Sequence, residues 1–185
     1  MLFRDLSFTM LPGAIIYLRG DNGSGKSSLL RILAGLQSPT IGRVLLQHQP
    51  IESVRKPCVV YIGHELGINL GLSVQDNLLF WARIYGSLEL LEVAILYFNL
   101  ESFLSLRAQQ LSAGNKQKLV LARLMLNRSN LWLLDEVNNN MDAKNKLLFE
   151  QLVVSKAHGG GMIVIATHGA AFTDKCQSIN MSDYV

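Results

Sequence analysis

Eight consecutive residues, Gly20-Asp21-Asn22-Gly23-Ser24-Gly25-Lys26-Ser27, fit the pattern G-x-x-x-x-G-K-[ST]. The physics of anion binding asks for this order. Glycines let backbone N–H groups close around phosphate oxygens without Cβ clashes. A helix starting near Lys26 aims its positive dipole end at the same anion. Lys26 reaches the β- and γ-phosphates of a nucleotide in such a loop, and the Ser27 hydroxyl ligates Mg²⁺. Ser28 joins the candidate nucleotide-binding residues. An ordinary glycine-rich turn is the alternative, and the flanking pattern weighs against it: the loop follows an apolar run and precedes a helical one.

A second acidic pair, Asp135-Glu136, ends the apolar run Leu131-Trp132-Leu133-Leu134. Ligands of open α/β sheets bind at the C-terminal ends of strands. There Asp135 is placed to hold Mg²⁺, directly or through water, and Glu136 to polarise the attacking water as general base. Alone, the pair reads equally well as an acidic strand end; with a phosphate loop upstream it does not. Leu111-Ser112-Ala113-Gly114-Asn115 opens a further helical pattern. Ser112 suits its N-cap. A serine and a glycine backbone at a helix start also suit a γ-phosphate, and the two roles are compatible.

The elements that must position these residues follow from periodicity. Ala14 to Leu18 (AIIYL), Leu131 to Leu134 and Met162 to Ala166 (MIVIA) are short, strongly apolar runs, the pattern of strands buried on both faces of a parallel sheet. Arg43 to Gln47 and Cys58 to Ile62 are weaker strand candidates. Leu29, Leu30, Ile32, Leu33 and Leu36 keep helix spacing from Ser27 onward, with Gly35 and Pro39 marking the end. Residues 73–127 turn helical. The expected fold is α/β, a mostly parallel sheet with an inserted α-helical subdomain, and the loop's resemblance to P-loop NTPases implies a RecA-like core. The expected division is one domain over 1–185, with 1–70 and 128–185 as nucleotide-binding core and 71–127 as the helical part.

Composition agrees. The 185 residues are enough for one sizeable core. With 49% hydrophobic and 17% charged residues, a disordered chain is excluded. The formal net charge is +3 without a Lys/Arg run, so a basic nucleic-acid stripe is not expected. Mean hydropathy is +0.24, yet no run approaches the roughly 18 apolar residues of a span. That combination suggests apolar surface covered by a partner. Cys58 and Cys176 stand alone and read as thiols in a reducing compartment. The first residues, Met1-Leu2-Phe3-Arg4-Asp5, show no secretory pattern.

Taken in order, these motifs resemble the ATP-binding cassette (ABC) ATPase family. Gly20–Ser27 matches the Walker A loop, Leu111–Asn115 the signature, Leu131–Glu136 the Walker B strand, Asn139-Asn140-Met141-Asp142 the D-loop, and His168 the switch histidine. The resemblance implies ATP and Mg²⁺ as cofactors. It implies a head-to-tail homodimer in which Ser112 and Gly114 of one copy contact ATP held by the other. His168 then holds the γ-phosphate and positions water with Glu136.

Leu6-Ser7-Phe8, Tyr61-Ile62-Gly63-His64-Glu65, Gly67-Ile68 and Leu111-Ser112-Ala113-Gly114 resemble, more narrowly, the ATP-binding subunits of haem exporters in cytochrome c maturation. Such a subunit works with an integral membrane permease, involves no nucleic acid, and lies peripherally on the cytoplasmic face of the inner membrane. Residues 78–106 then dock on the permease, or pack on their own core, or do both with different faces. His64 stands in the slot of the usual Q-loop glutamine. A contact to Mg²⁺, a contact to the membrane partner, another ligand role and simple space-filling are all open to it; for a haem ligand no second ligand is evident. Val137 replaces the usual proline, Asn115 a glutamine and Ala113 a glycine. An upstream strand with an adenine-stacking aromatic is expected in this family; here only Phe3 offers a ring, in what reads as the wrong register. Other classes compete: an ABC ATPase for a different cargo, a soluble ABC protein on ribosomes or DNA, and a nucleotide-binding regulator that does not hydrolyse. The presence of Glu136 and His168 weighs against the last.

Overall fold

The structure is a computed structural model, and it describes residues 2–54, 58–63, 67–139, 141–169, 171–173 and 176–184. His64 and Asn140 lie outside the described residues. The chain divides into two compact units, Met1–His64 with Ser129–Asn139 and Val153–Val185, and Glu65–Arg128 with Asn140–Leu152.

The first unit is built on a five-stranded sheet of order β4-β5-β6-β1-β7. Its strands are β1 (Ile15–Arg19), β4 (Val59–Ile62), β5 (Leu131–Asp135), β6 (Met162–Ala166) and β7 (Gln177–Asn180). Every pairing is parallel. β5 is buried along its whole length and β1 and β6 nearly so, which is why they read as unbroken apolar runs rather than alternations. α1 (Lys26–Leu33) packs Leu29, Leu30 and Leu33 onto the core made by Ile16, Leu18, Leu131, Leu133 and Val164. Phe3, Leu6, Phe8 and Met10, from a segment without strand structure, close the same core.

Two expectations need correction. Arg43 to Gln47 is not a strand of the main sheet. Only β2 (Leu45–Leu46) forms, and it pairs antiparallel with β3 (Gln49–Pro50) in a separate hairpin. Gln47 and His48 take left-handed backbone angles, φ 52° and 65°, which turn the chain back after two residues. The edge strand β7 was not expected. Its sequence, QSIN, has one apolar residue, and three of its four positions are exposed. An edge strand with one wet face carries little apolar signal.

In the second unit, α2 (Val74–Tyr85), α3 (Leu91–Tyr97) and α4 (Ala113–Leu126) pack on one another. Ser73 caps α2, accepting from the Asp76 N–H at 3.0 Å. Gly86 ends α2 in the left-handed conformation, φ 63°. α5 (Ala143–His158) has residues in both units. Among the described residues, no helix is long and apolar enough to cross a membrane.

Candidate active site

Parallel pairing decides where the chemistry lies. β5, β6 and β1 are neighbours in register, with Asp135 opposite Ala166 and Leu18 opposite Ala166. The segments leaving these three strands therefore emerge at one edge. They carry Asp135-Glu136, His168 and the glycine loop respectively. Sequence order scatters these groups over about 150 residues; strand order gathers them.

The loop meets the first demand of an anion site. Gly25 is the N-cap of α1, in the left-handed conformation at φ 96°, and the helix has no side-chain cap and no acidic residue in its first turn. Its first N–H groups are thus left for an external acceptor. Gly25 is also crowded: a Cβ there would lie 2.8 Å from Cδ1 of Phe3. The ring that the sequence offered for the base thus lies against the loop. Lys26 is 5% exposed. Its ammonium donates to the carbonyls of Gly20 (2.7 Å) and Asp21 (2.8 Å), so the charge is held on the loop itself. Asp21, Asn22 and Gly23 are exposed at the loop tip, while Ser24, Ser27 and Ser28 are half-buried.

Glu136 takes a left-handed φ of 57° as the chain leaves β5. Its N–H donates to the Ala166 carbonyl at 2.9 Å, which ties the turn to β6. Its carboxylate is gripped at both oxygens. Asn139 Nδ2 donates to Oε2 at 2.9 Å, and His168 Nε2 lies 3.3 Å from Oε1. The same His168 nitrogen is 3.1 Å from Oδ1 of Asn22, in the glycine loop. Both neighbours are acceptors, so Nε2 carries the hydrogen. Glu136, His168 and the glycine loop are thereby joined in one hydrogen-bonded group. The left-handed backbone at Glu136 is strain of the kind that collects at functional turns.

Asp135 is 4% exposed. Its described side-chain partner is the Tyr61 hydroxyl, which donates to Oδ2 at 3.2 Å. Burial foremost, and then the negative charge of Asp135, raise the Tyr61 phenol above its usual pKa; Arg31 opposes this. Tyr61 therefore stays a donor. Among the described residues no cation pairs with Asp135. A buried carboxylate without a positive partner is costly, and a hard cation at this point would offset that cost. The donors present, a carboxylate and the Ser27 hydroxyl, are oxygens, as such a cation prefers. No cluster of three or more acidic, His or Cys ligands exists among the described residues. A metal here would take most of its ligands from phosphate and water, the habit of Mg²⁺.

Ser112 and Gly114 belong to the second unit. Ser112 is the N-cap of α4, its hydroxyl accepting from the Asn115 N–H at 3.3 Å. The Gly114 carbonyl accepts from Asn145 Nδ2 at 3.1 Å, and Asp142 Oδ1 accepts from the Asn145 N–H at 2.7 Å. Val137, in place of the family's proline, is buried. Three contacts escaped sequence reasoning: Asn139 on Glu136, Asn22 on His168, and Tyr61 on Asp135. Asn139 stood in a recognised motif without a role, and Tyr61 stood only in a run quoted for its likeness.

The family model described as ABC transporter matches residues 3–139. A cytochrome c biogenesis ATP-binding export protein, CcmA, of Rickettsia typhi is 42% identical over 96% of this chain and 90% of its own length. Among solved structures, a putative ABC transporter ATP-binding protein from Pyrococcus furiosus matches with TM-score 0.84 at 20% identity, over 98% of this chain and 91% of that one. A dimeric ATP-binding cassette in a post-hydrolysis state, bound to ADP and Pi, matches with TM-score 0.76 at 20% identity, over 91% and 80%. These two likenesses establish the fold. With these matches over most of its length, the chain belongs to the ABC transporter ATPases, among the ATP-binding export proteins of cytochrome c biogenesis.

Proposed function

We propose that this ATPase works as a pair of identical subunits on a membrane permease that exports haem for cytochrome c maturation. The observation that carries the catalytic part is the linked group Asn22–His168–Glu136–Asn139 beside the glycine loop. Glu136 accepts the proton of the attacking water as the water oxygen bonds to the γ-phosphorus and the bond to the β–γ bridging oxygen breaks, with ADP leaving. His168 holds that carboxylate and, through Asn22, registers the state of the loop. Lys26 turns from the loop carbonyls to the β- and γ-phosphates when nucleotide enters. Gly20 to Ser28 supply the N–H and hydroxyl groups of the cradle. Ser27 and Asp135 hold Mg²⁺, which neutralises charge on the phosphates when bound. Ser112 and Gly114 serve the nucleotide of the partner copy, an assembly in keeping with the dimeric cassette bound to ADP and Pi.

The export role rests on the likeness to CcmA and on the surface of the helical unit. Phe80 and Ile84, one turn apart on α2, are half-exposed, as are Leu88, Val93 and Leu96. An apolar face of this kind fits a membrane subunit's loops better than water. The chain thus sits peripherally on the cytoplasmic face of the membrane. Affinity capture from detergent-solubilised membranes, followed by ATPase assay of the complex, tests this. A polytopic membrane protein that raises the hydrolysis rate is the expected companion; capture of ribosomes alone would overturn the export reading.

A further inference from the structure

We propose that Tyr61 is a positioning residue for the metal-binding carboxylate, and that Gly63 lacks a side chain so that the phenol can reach it. This rests on the reading of Asp135 as a Mg²⁺ ligand. β4 and β5 are parallel, with Tyr61 opposite Leu133 and Ile62 opposite Leu134. Side chains alternate along a strand, so Tyr61, Leu133 and Asp135 share one face. The phenol extends along that face toward the strand's C-terminal end and donates to Oδ2 of Asp135 at 3.2 Å.

Gly63 is the next position along the same face. A Cβ there would lie 2.8 Å from the Tyr61 hydroxyl oxygen and 3.1 Å from both Cε1 and Cζ. A methyl group there would push the phenol from its present place. The contact is therefore built from two residue choices on one strand end, not from a chance side-chain meeting.

The consequence is orientational. Asp135 is buried, and the side-chain hydrogen bond it accepts from Tyr61 engages Oδ2. With Oδ2 engaged by Tyr61, Oδ1 is the oxygen left for a cation. Without the phenol, the carboxylate is free to rotate, and the cation must pay for its ordering. Groups that orient metal ligands in this way typically contribute about 10- to 100-fold to metal affinity.

The test is Mn²⁺ binding to the full-length chain with equimolar ADP, followed by electron paramagnetic resonance. ADP affinity is measured alongside by calorimetry in EDTA. Tyr61→Phe removes one hydroxyl and keeps the packed ring. It is expected to weaken Mn²⁺ binding about 10-fold and leave metal-free ADP affinity unchanged. Gly63→Ala displaces the phenol without altering either partner and is expected to weaken Mn²⁺ in the same direction. Asp135→Asn is expected to weaken it at least as much, and adding Tyr61→Phe to it should cost nothing further. Wild-type Mn²⁺ affinity in Tyr61→Phe, with Asp135→Asn weakened, overturns the role of Tyr61 alone. Wild-type affinity in Asp135→Asn overturns the underlying assignment as well. Equal losses of Mn²⁺ and metal-free ADP binding in Tyr61→Phe would make its role merely structural and also overturn the proposal.

Discussion

Glu136→Gln separates chemistry from architecture at this site. The carboxylate accepts from Asn139 Nδ2 at 2.9 Å and faces His168 Nε2 at 3.3 Å. A glutamine amide has the same shape. Its oxygen can still accept from Asn139, and its NH₂ then faces the imidazole N–H. That donor–donor contact is relieved by a change of tautomer or a small shift of the half-exposed His168. The structural cost is one hydrogen bond, about 0.5–1.5 kcal/mol, or a Tm fall of no more than about 6 °C for a chain of this size. The chemical cost is larger. A positioned general base typically contributes 10²- to 10⁴-fold, which is about 3–5 kcal/mol of barrier. The expected outcome is a chain that folds and binds ATP normally, turns over at least about 100-fold slower, and accumulates as an ATP-bound dimer. Single-turnover hydrolysis, calorimetry and light scattering read the three quantities. Hydrolysis at the parental rate would refute Glu136 as base. A large Tm fall with lost ATP affinity would refute the claim that geometry survives the exchange.

Three further outcomes follow from contacts already described. Lys26→Ala removes the ammonium that must reach the phosphates; a charged hydrogen bond is worth about 1.5–3 kcal/mol, so calorimetry should show ATP binding about 10- to 150-fold weaker. Asn139→Ala frees one oxygen of Glu136 and should lower kcat by about 5-fold, the equivalent of roughly 1 kcal/mol, with KM for ATP unchanged; a rise in KM would move Asn139 into binding instead. Lys156, whose ammonium lies 5.1 Å from the centre of the Trp132 ring, is pushed below its usual pKa by burial. Between that lowered value and the 10.5 of an unfolded lysine, the unfolded chain holds the proton and the folded chain does not, so stability rises with pH through that window. Denaturant titrations at stepped pH should show this slope, and Lys156→Met should flatten it.

Much of the fold was legible because the relevant signals are local. β1, β5 and β6 are buried on both faces, so their apolar runs announce themselves. The glycine loop needs its glycines within eight residues, and α1 starts where the pattern places it. Ser112 sits at the α4 N-cap that its residue type predicted. What failed to show was whatever depends on partners distant in sequence. β7 becomes a strand because β1 offers it an edge, not because QSIN prefers to extend. The hairpin β2–β3 turns on left-handed backbone at Gln47 and His48, two residues without a strong turn signal.

The same rule governs the site. Residue types single out Lys26, Asp135, Glu136 and His168 as candidate reactive groups, but a candidate group is not yet an oriented one. Orientation comes from Asn22, Tyr61 and Asn139, neutral residues whose types occur everywhere and whose spacing to their targets, 146, 74 and 3 positions, has no common period. Of these, Asn139 lies within one turn of its target, and a sequence reader could have asked what a side-chain amide does three residues after a base. For Tyr61 the signal was Gly63: a glycine directly after a half-buried strand, two positions beyond an aromatic on the same face, leaves room for the ring to reach past it. The ring's hydroxyl then has to end on something polar, and the strand alongside ends in Asp135.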